Sequence, residues 1–336
     1  MCDFGRVSAR RSQTLWHALA HGVSAGAPPT LSFMRPARPY VGLGYHRPAA
    51  EVDLAWCREA GLPVYRRKAG GGVVYLDDAQ LFFQITVPAT SLPAARGAAL
   101  RHLLAPAVAA WRAAGVDARL DPAGEVVVGE IPALGIKVCG HAAAQIGGAV
   151  VVVGNLIERF DHDAAARVLA LPPDARAEAA RLMRRFVAAT PADAATFQSA
   201  AVAAYGEALG LEVVPGHMSS DERRHLAHLD VHFGTARWLA GPVAGRPLPA
   251  ARTVKIRAGV FVVTAEAAAA RLMAGVVGDK VERAVLSAPE WNGTAGPLAA
   301  GLEGLSLSEA RSRLAGAGAA GAGLADALAG LRLTAA

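Results

Sequence analysis

Apolar residues recur every three or four positions in several stretches of the chain, which is the spacing of one helix face. The clearest stretch is Arg96–Ala114, where Leu103, Leu104 and Trp111 lie on one face and Gly115 ends the pattern. The same spacing predicts further helices, at Thr14–Val23, Asp53–Ala60, Asp163–Leu169, Asp174–Ala189 and Ala194–Leu209.

Short apolar runs bounded by glycine, proline or acidic residues predict strands between these helices. They are Thr30–Met34, Tyr40–Gly44, Val73–Leu76, Leu81–Val87, Glu125–Val128, Ile136–Cys139 and Val150–Val153. The Asp77-Asp78 pair between two of them is typical of a hairpin turn.

The chain changes character near Val214-Pro215-Gly216-His217. Beyond this point a charged helix is predicted over Ser220–Leu239, with a cap-like start at Ser219. Two strands (Thr253–Ile256 and Val260–Thr264) and two helices (Leu307–Leu314 and Leu324–Leu331) follow. We therefore predict an α+β fold, with a mixed-sheet catalytic domain over residues 1–215 and a small α+β accessory domain over residues 216–336.

The composition of the chain argues against some classes of protein. No apolar run approaches the roughly 20 residues that cross a bilayer, and the first residues lack the order of a secretory signal. The net charge is +6, but the 34 Lys and Arg residues form no basic block, so we expect neither a membrane protein nor a nucleic-acid-binding one. The three widely spaced cysteines predict no disulfide framework, which fits a cytoplasmic protein.

The segment Tyr65–Tyr75 carries the most specific chemistry. Two arginines and a lysine precede three glycines, Gly70, Gly71 and Gly72, which are followed by Val73, Val74 and Tyr75. Glycines allow main-chain N–H groups to approach a ligand closely, and the cations suit a phosphate or carboxylate. A plain glycine-rich hairpin is the alternative. The spacing matches neither the common phosphate loop nor the dinucleotide fingerprint.

Three segments together resemble the lipoate–protein ligase family, whose catalytic domain has the biotin/lipoate ligase-like fold. Tyr65–Tyr75 resembles the signature RR-x-x-GGG-A-V-[FY], and Gly135–Ala142 resembles G-[RK]-K-[IV]-S-G-x-A. Gly154-Asn155-Leu156-Ile157 resembles the G-S-L-L stretch that follows. The resemblance extends from about Gln13 to Leu209, and more weakly into the C-terminal region.

This resemblance implies an ATP-dependent ligase that activates lipoate or octanoate to an acyl adenylate and then transfers the acyl group to a lysine of a carrier domain. Lys137 matches the family lysine that contacts the carboxylate and the α-phosphate, so it is the predicted catalytic residue. Arg67 matches the arginine that faces the nucleotide phosphates, and the stretch from Gly70 to Tyr75 would contact the nucleotide. Mg²⁺ is implied with ATP, although no carboxylate is nominated as its ligand.

The predicted substrate-binding residues lie around these positions. They are Arg66, His46, Gly140, His141, Ala142 and Asn155, with neighbouring apolar residues forming a slot for the lipoyl chain. For Arg66 the alternative is that it shapes the loop, and for both histidines the alternative is a packing role.

The sequence departs from the family pattern in two places. Where the family carries R-N-D-[IL], this chain reads Gly124-Glu125-Val126-Val127-Val128, and Cys139 replaces the family serine. Cys139 is either a small buried residue or a nucleophile beside Lys137 that forms a thioester, as in related octanoyltransferases.

Three hypotheses follow: an ATP-dependent lipoate–protein ligase, a cysteine-dependent octanoyl- or lipoyl-transferase that needs no ATP, and a non-catalytic lipoyl- or biotin-binding relative. The implied partners are lipoyl-carrier proteins, such as the acyltransferase subunits of 2-oxo acid dehydrogenases or the glycine-cleavage H protein.

Overall fold

The computed structural model describes residues 1–131 and 134–333. Up to residue 161 its main elements are, in chain order, β1 (Cys2–Val7), α1 (Arg11–Ser24), β2 (Thr30–Pro36), β3 (Tyr40–Leu43), α2 (Leu54–Glu59), β4 (Val64–Arg66), β5 (Val73–Leu76), β6 (Gln80–Pro88), α3 (Arg96–Ala113), β7 (Arg119–Leu120), β8 (Val126–Ile131), β9 (Leu134–Lys137), β10 (His141–Ile146) and β11 (Ala149–Ile157).

From residue 162 onward the elements are α4 (His162–Arg167), α5 (Pro173–Phe186), α6 (Ala194–Leu209), α7 (Ser220–His232), α8 (Ala236–Ala240), β12 (Ala251–Arg257), β13 (Val260–Ala267), β14 (Ala270–Val277), β15 (Lys280–Ser287), α9 (Ala295–Ala300), α10 (Leu307–Ala315) and α11 (Gly318–Leu328). Among the described residues, no helix is both long and apolar enough to span a bilayer.

The chain divides into two compact units. Unit 1 comprises Met1–Ile131, Gly135–Asp161 and Ala188–Ala244. Unit 2 comprises, within the described residues, Leu134, His162–Val187 and 245–333. The two compact units do not test the predicted domain boundary between residues 215 and 216, which stays a prediction.

Unit 1 is built on a five-stranded mixed sheet of order β1-β2-β6-β11-β10, in which β1 runs parallel to β2 and the other neighbours are antiparallel. Its central strand β6 is buried along almost its whole length. Since successive side chains of a strand point to opposite faces, Phe83 packs with Trp111 of α3 and Phe197 of α6, whereas Phe82 packs with Leu15 and Leu19 of α1.

Two three-stranded sheets complete unit 1, with orders β4-β3-β5 and β7-β8-β9. In the first, β3 is parallel to β4 and antiparallel to β5. The predicted hairpin at Asp77-Asp78 is therefore wrong, because β5 and β6 belong to different sheets. Asp77 instead caps the connection between them: its Oδ1 accepts from the Ala79 N–H at 3.1 Å.

Unit 2 contains an antiparallel meander, β12-β13-β14-β15, and its core includes Trp291, Leu314 and Leu324. Helix α5 also packs on this meander. Its Glu178 is fully buried, and a Cβ atom at Gly275 would lie 2.0 Å from a Glu178 carboxylate oxygen. Ion pairs reinforce the contact, including Arg271 with Asp174 at 2.7 Å.

The predicted α+β class with mixed sheets is confirmed, with corrections to single elements. The helix predicted over Ser220–Leu239 is two helices, α7 and α8, because the chain turns at Phe233–Thr235 and Thr235 caps α8. The helix predicted to end at Ala189 ends at Phe186. Strands β1, β4, β7, β10, β14 and β15 were not predicted.

Candidate active site

The glycine-rich loop Gly70–Gly72 connects β4 to β5, which lie on either side of β3. The loop is held against the end of β3, where the Gly44 N–H donates to the Gly72 carbonyl oxygen at 3.1 Å. A Cβ atom at Gly44 would lie 1.9 Å from the Gly71 carbonyl oxygen, and Gly71 has a φ of +93°. Both positions therefore require glycine.

Exposure decreases along the predicted ligand-binding stretch. Gly70–Gly72 are exposed, Val73 and Val74 are half-buried, and Tyr75 is buried. The space around Gly70 and Gly72 is open where a side chain would start. The backbone of this loop is thus accessible to a ligand, as the predicted role of these residues requires.

Arg67 is folded beneath the loop. Its guanidinium donates to the carbonyl oxygens of Gly42 at 3.0 Å, Gly70 at 2.8 Å and Gly72 at 3.0 Å. Burial lowers the pKa of Arg67 to about 10. The structure thus gives this arginine a loop-holding role, and its contact with nucleotide phosphates stays a prediction.

Arg66 is fully buried and binds backbone on two sides. One nitrogen donates to the carbonyl oxygens of Gly44 and Tyr45, at 2.9 and 2.6 Å. Another donates to those of Leu239 and Ala240 at the end of α8, at 2.7 and 3.1 Å. These contacts agree with the alternative that Arg66 shapes the loop, and substrate binding by Arg66 stays a prediction.

Lys137 ends strand β9, and its ammonium Nζ lies 2.8 Å from a carboxylate oxygen of Glu125. The Lys137 side chain is 17% exposed and that of Glu125 only 4%. The Lys137 carbonyl oxygen accepts from the Ala188 N–H at 2.9 Å, which fixes the strand end. The predicted catalytic residue is therefore a half-buried cation held in place by an internal carboxylate.

A chain of hydrogen bonds connects the segment after Lys137 with the region of the glycine loop. The Gly140 N–H donates to Asn155 Oδ1 at 2.6 Å, and Asn155 Nδ2 donates to Gln80 Oε1 at 2.7 Å. Gln80 Nε2 in turn donates to Asp77 and to the Tyr75 carbonyl oxygen, at 3.4 and 3.5 Å. The structure thus connects three predicted residues through one that was not predicted.

Cys139 lies two residues beyond Lys137 and has no exposed surface. Its thiol donates to the Gly140 carbonyl oxygen at 3.4 Å. Burial raises the pKa of Cys139 to about 12, although a hydrogen bond from the Asn155 backbone and the charge of Lys137 act in the opposite direction. In this conformation the sulfur is a buried thiol, not an accessible thiolate.

The remaining predicted residues occupy less constrained positions. His46 is exposed in the turn after β3, where its ring contacts that of Tyr45 edge to face. His141 begins β10 opposite Gly154, and Ala142 lies opposite Val153.

A buried apolar cluster includes Ala69 of the glycine-rich segment, and the slot for a lipoyl chain stays a prediction. Small side chains make up much of the cluster, among them Ala20 of α1, Ala69 of the loop and Ala142 of β10. Trp16 and Val151 form the larger part of the same cluster.

Two further residues of this region were not nominated from the sequence. Glu125 stood out only as a departure from the family pattern, and a buried carboxylate beside Lys137 was not foreseen. Gln80 begins β6 with no exposed surface. A polar residue at the start of an otherwise apolar run was the signal that could have identified it.

The predicted nucleotide would meet the exposed backbone of the glycine loop and the ammonium of Lys137. The Mg²⁺ predicted together with ATP stays a prediction. Within residues 1–131 and 134–333, no three His, Cys, Asp or Glu side chains group closely enough to hold a metal ion. We therefore assign no protein ligands to magnesium.

Comparison with known proteins gives two kinds of relative. Octanoyltransferase LipM of Symbiobacterium thermophilum is 28% identical over 249 residues, which cover 66% of this chain and 89% of that protein. Octanoyltransferase LipM of Moorella thermoacetica is 28% identical over 237 residues, covering 63% and 86%.

Among solved structures, a bi-partite lipoate protein ligase of Thermoplasma acidophilum, described with its E2 lipoyl domain, superposes with a TM-score of 0.65 at 25% identity. The match covers 71% of this chain and 95% of that one. A lipoate-protein ligase A bound with ATP has the same fold, with a TM-score of 0.60 at 24% identity and coverage of 71% and 96%.

The sequence pattern of the lipoyl protein ligase A/B catalytic domain matches residues 9–189, more than half of the chain. This range contains the glycine loop, Lys137, Cys139 and Asn155. The predicted resemblance is thereby confirmed: the chain belongs to the family of lipoyl protein ligase A/B catalytic domains.

Proposed function

We propose that the protein transfers an octanoyl or lipoyl group to the lysine of a lipoyl-carrier domain. The observation that carries this proposal is Lys137, a half-buried ammonium fixed by Glu125 at 2.8 Å. Negative charge develops on the acyl carbonyl oxygen as the amide forms, and a preorganised cation stabilises that charge more in a partly dry site than in water.

As the acyl donor we propose an octanoyl thioester of a carrier protein, because the relatives described above are named octanoyltransferases. In this reaction the thioester C–S bond breaks, an amide C–N bond forms, and the carrier protein leaves as its free thiol. ATP is not consumed.

ATP-dependent ligation of lipoate or octanoate is the second candidate, and the burial of Cys139 favours it. A covalent route through Cys139 requires a thiolate at the surface of the site, whereas this thiol has no exposed surface and a pKa of about 12. ATP would then be a substrate, bound by the glycine loop and Lys137.

Matched reactions separate the two donors. Purified protein and an apo lipoyl domain are incubated either with octanoyl carrier protein without ATP, or with octanoate or lipoate plus ATP and Mg²⁺, and the domain is weighed by intact mass spectrometry. Acylation from the thioester alone supports the transferase, and acylation only with ATP supports the ligase. Failure of both reactions would leave the non-catalytic hypothesis.

The role of Cys139 is tested with Cys139→Ser, with Cys57→Ser as control because Cys57 is also a buried cysteine. If the thiol only packs, both variants should keep activity within about tenfold of the wild type. A stable octanoyl adduct on the wild-type protein that disappears in Cys139→Ser would establish the covalent route.

For partners we propose the lipoyl domains of 2-oxo acid dehydrogenase acyltransferase subunits and the glycine-cleavage H protein. The solved relative described with an E2 lipoyl domain supports the first of these. Initial rates with the two apo carriers, measured at equal concentration, would rank them.

A further inference from the structure

We propose that Glu125 is a positioning residue for Lys137, holding its ammonium where it faces the reacting carbonyl group. The inference rests on the proposed function for its kinetic part. Its structural part, the pairing of the two side chains, stands on the geometry of the site.

Local structure sets Glu125 beside Lys137. A turn precedes Glu125: the Gly124 N–H donates to the Asp121 carbonyl oxygen at 2.9 Å, and the Glu125 N–H donates to Asp121 Oδ1 at 2.9 Å. The Val138 N–H then donates to the Val126 carbonyl oxygen at 3.1 Å. The start of β8 and the end of β9 therefore lie side by side, with Glu125 directly before β8 and Lys137 at the end of β9.

The environment makes this pair more than a surface contact. Glu125 is 3% exposed, so its carboxylate has little access to water that could replace Lys137. A lysine side chain has several rotatable bonds and samples many positions when it is free. Pairing with a nearly buried carboxylate reduces the number of positions that Nζ can take, and catalysis depends steeply on such positioning.

The segment that carries Glu125 is one of the two places where the sequence departs from the family pattern. Glu125 lies in the segment Gly124–Val128, where the family pattern of asparagine and aspartate is absent. In this protein a single acidic side chain from that segment contacts the site lysine instead. The alternative is that the ion pair only stabilises the fold. In that case the loss of Glu125 should slow the reaction equally whether or not Lys137 is present.

A double-mutant cycle measures that coupling. Glu125→Gln and Lys137→Ala are made singly and together, and the initial rate of acyl transfer to an apo lipoyl domain is measured for each. If Glu125 acts through Lys137, Glu125→Gln should slow transfer by about tenfold or more in the wild type but by less than about threefold in Lys137→Ala. Equal losses in both backgrounds would overturn the proposal.

Two further variants keep the cycle interpretable. Glu158→Gln removes a carboxylate from another ion pair, with Arg35, and should leave the rate unchanged. Glu125→Asp keeps the charge but shortens the side chain, so its rate should lie between those of the wild type and Glu125→Gln. It also replaces Glu125→Gln in the cycle if that variant does not fold.

Chemical labelling tests the pairing without any activity. An ammonium held against a nearly buried carboxylate is poorly accessible to a reagent, so loss of the carboxylate should raise the acetylation rate of Lys137 by acetic anhydride at least about fivefold, with exposed Lys280 as the internal reference. An unchanged rate in Glu125→Gln would overturn the proposal even in an active enzyme. If the wild type transfers no acyl group, the proposed function fails while this measurement still decides the pairing.

Discussion

Lys137 is the residue on which the proposed chemistry depends, and its replacement has a defined expected effect. Lys137→Ala should slow acyl transfer by about 100-fold or more, because one preorganised group that stabilises developing charge contributes that much. The rate is measured by intact mass spectrometry of an apo lipoyl domain. Lys280→Ala is the control, since that lysine is 52% exposed and lies 3.8 Å from a carboxylate oxygen of Glu309.

A Lys137→Ala protein that folds and transfers at the wild-type rate would contradict this expectation. Folding is checked separately, because the variant leaves Glu125 buried beside an empty space. Some loss of thermal stability is therefore expected in addition to the loss of rate.

A second expectation for a single residue concerns the pH dependence of folding stability, and it rests on His17 of α1. It is 3% exposed, and burial together with the charge of Lys68 lowers its pKa to about 3. In the unfolded chain His17 takes up a proton near pH 6.5, whereas in the folded chain it does so only near pH 3. Stability is therefore expected to fall as the pH drops below 6.5, by about 2 kcal/mol per such group between pH 6.5 and pH 5.

The measurement is urea unfolding of the wild type and of His17→Leu at pH 7 and pH 5. The variant should lose clearly less stability on acidification, although His21 and His225, whose pKa values burial also lowers, leave some pH dependence. His228→Gln, at an exposed position of α7, should behave as the wild type. Equal pH dependence in His17→Leu would exclude His17 as a source.

Sequence reasoning reached single residues unevenly. Lys137, Asn155 and the glycines could be nominated because the family motifs are contiguous in sequence. Glu125 and Gln80 were not, since a buried polar partner is defined by the strand that lies beside it. The sequence offered loop shaping as an alternative for Arg66 but not for Arg67, and the fold reveals that both bind backbone carbonyl oxygens.

At the scale of elements, Arg66 connects β4 to the end of α8, and this connection should contribute to stability. Arg66→Lys is expected to destabilise the fold by roughly 2–4 kcal/mol, because one ammonium cannot reach carbonyl oxygens on two sides and leaves some of them buried without a donor. Urea unfolding measures the loss, with Arg6→Lys as a control at a surface ion pair.

Gly241→Ala should also destabilise the fold, but through a steric clash and backbone strain. Gly241 has a φ of +68°, and a Cβ atom there would lie 2.3 Å from Arg66 Nε. If Arg66→Lys and Gly241→Ala both unfold at the wild-type urea concentration, the connection between β4 and α8 contributes nothing.

Strands were missed where a composition rich in alanine removes the alternation of apolar and polar residues. β10 reads His-Ala-Ala-Ala-Gln-Ile, and the alanines give no apolar and polar alternation to recognise. β14 is similarly rich in alanine and glycine. The hairpin predicted between β5 and β6 failed for another reason, because local turn chemistry does not reveal that two successive strands join different sheets.

For the whole molecule, the place of α5 in unit 2 has a measurable consequence. A chain ending at Ala244 lacks the meander β12–β15 and would uncover the face of α5 that packs on it, including Glu178, which is fully buried in the 336-residue chain. Hydrogen exchange should then be fast in α5, while α3, whose core partners lie in unit 1, stays protected. Persistent protection of α5 would mean that it is stable without the meander.

The α+β class and the catalytic fold were predictable from ordered motifs, because these motifs occur in one family of domains. The composition of the compact units was not. The ion pairs that bind α5 to the meander, such as Arg185 with Glu282 at 2.7 Å, join positions almost a hundred residues apart. Charged residues are common on helices, and the sequence does not indicate with which opposite charge each of them will pair.

The assignment of α5 to unit 2 also bears on the order in which the chain can fold during its synthesis. Helix α5 leaves the ribosome well before β12–β15, with α6, α7 and α8 made in between. At about 5–20 residues per second, roughly 5–20 s pass before its binding surface exists. During that time α5 carries an apolar face with nothing to cover it, so a nascent chain stalled after α8 should bind chaperones through residues 173–186.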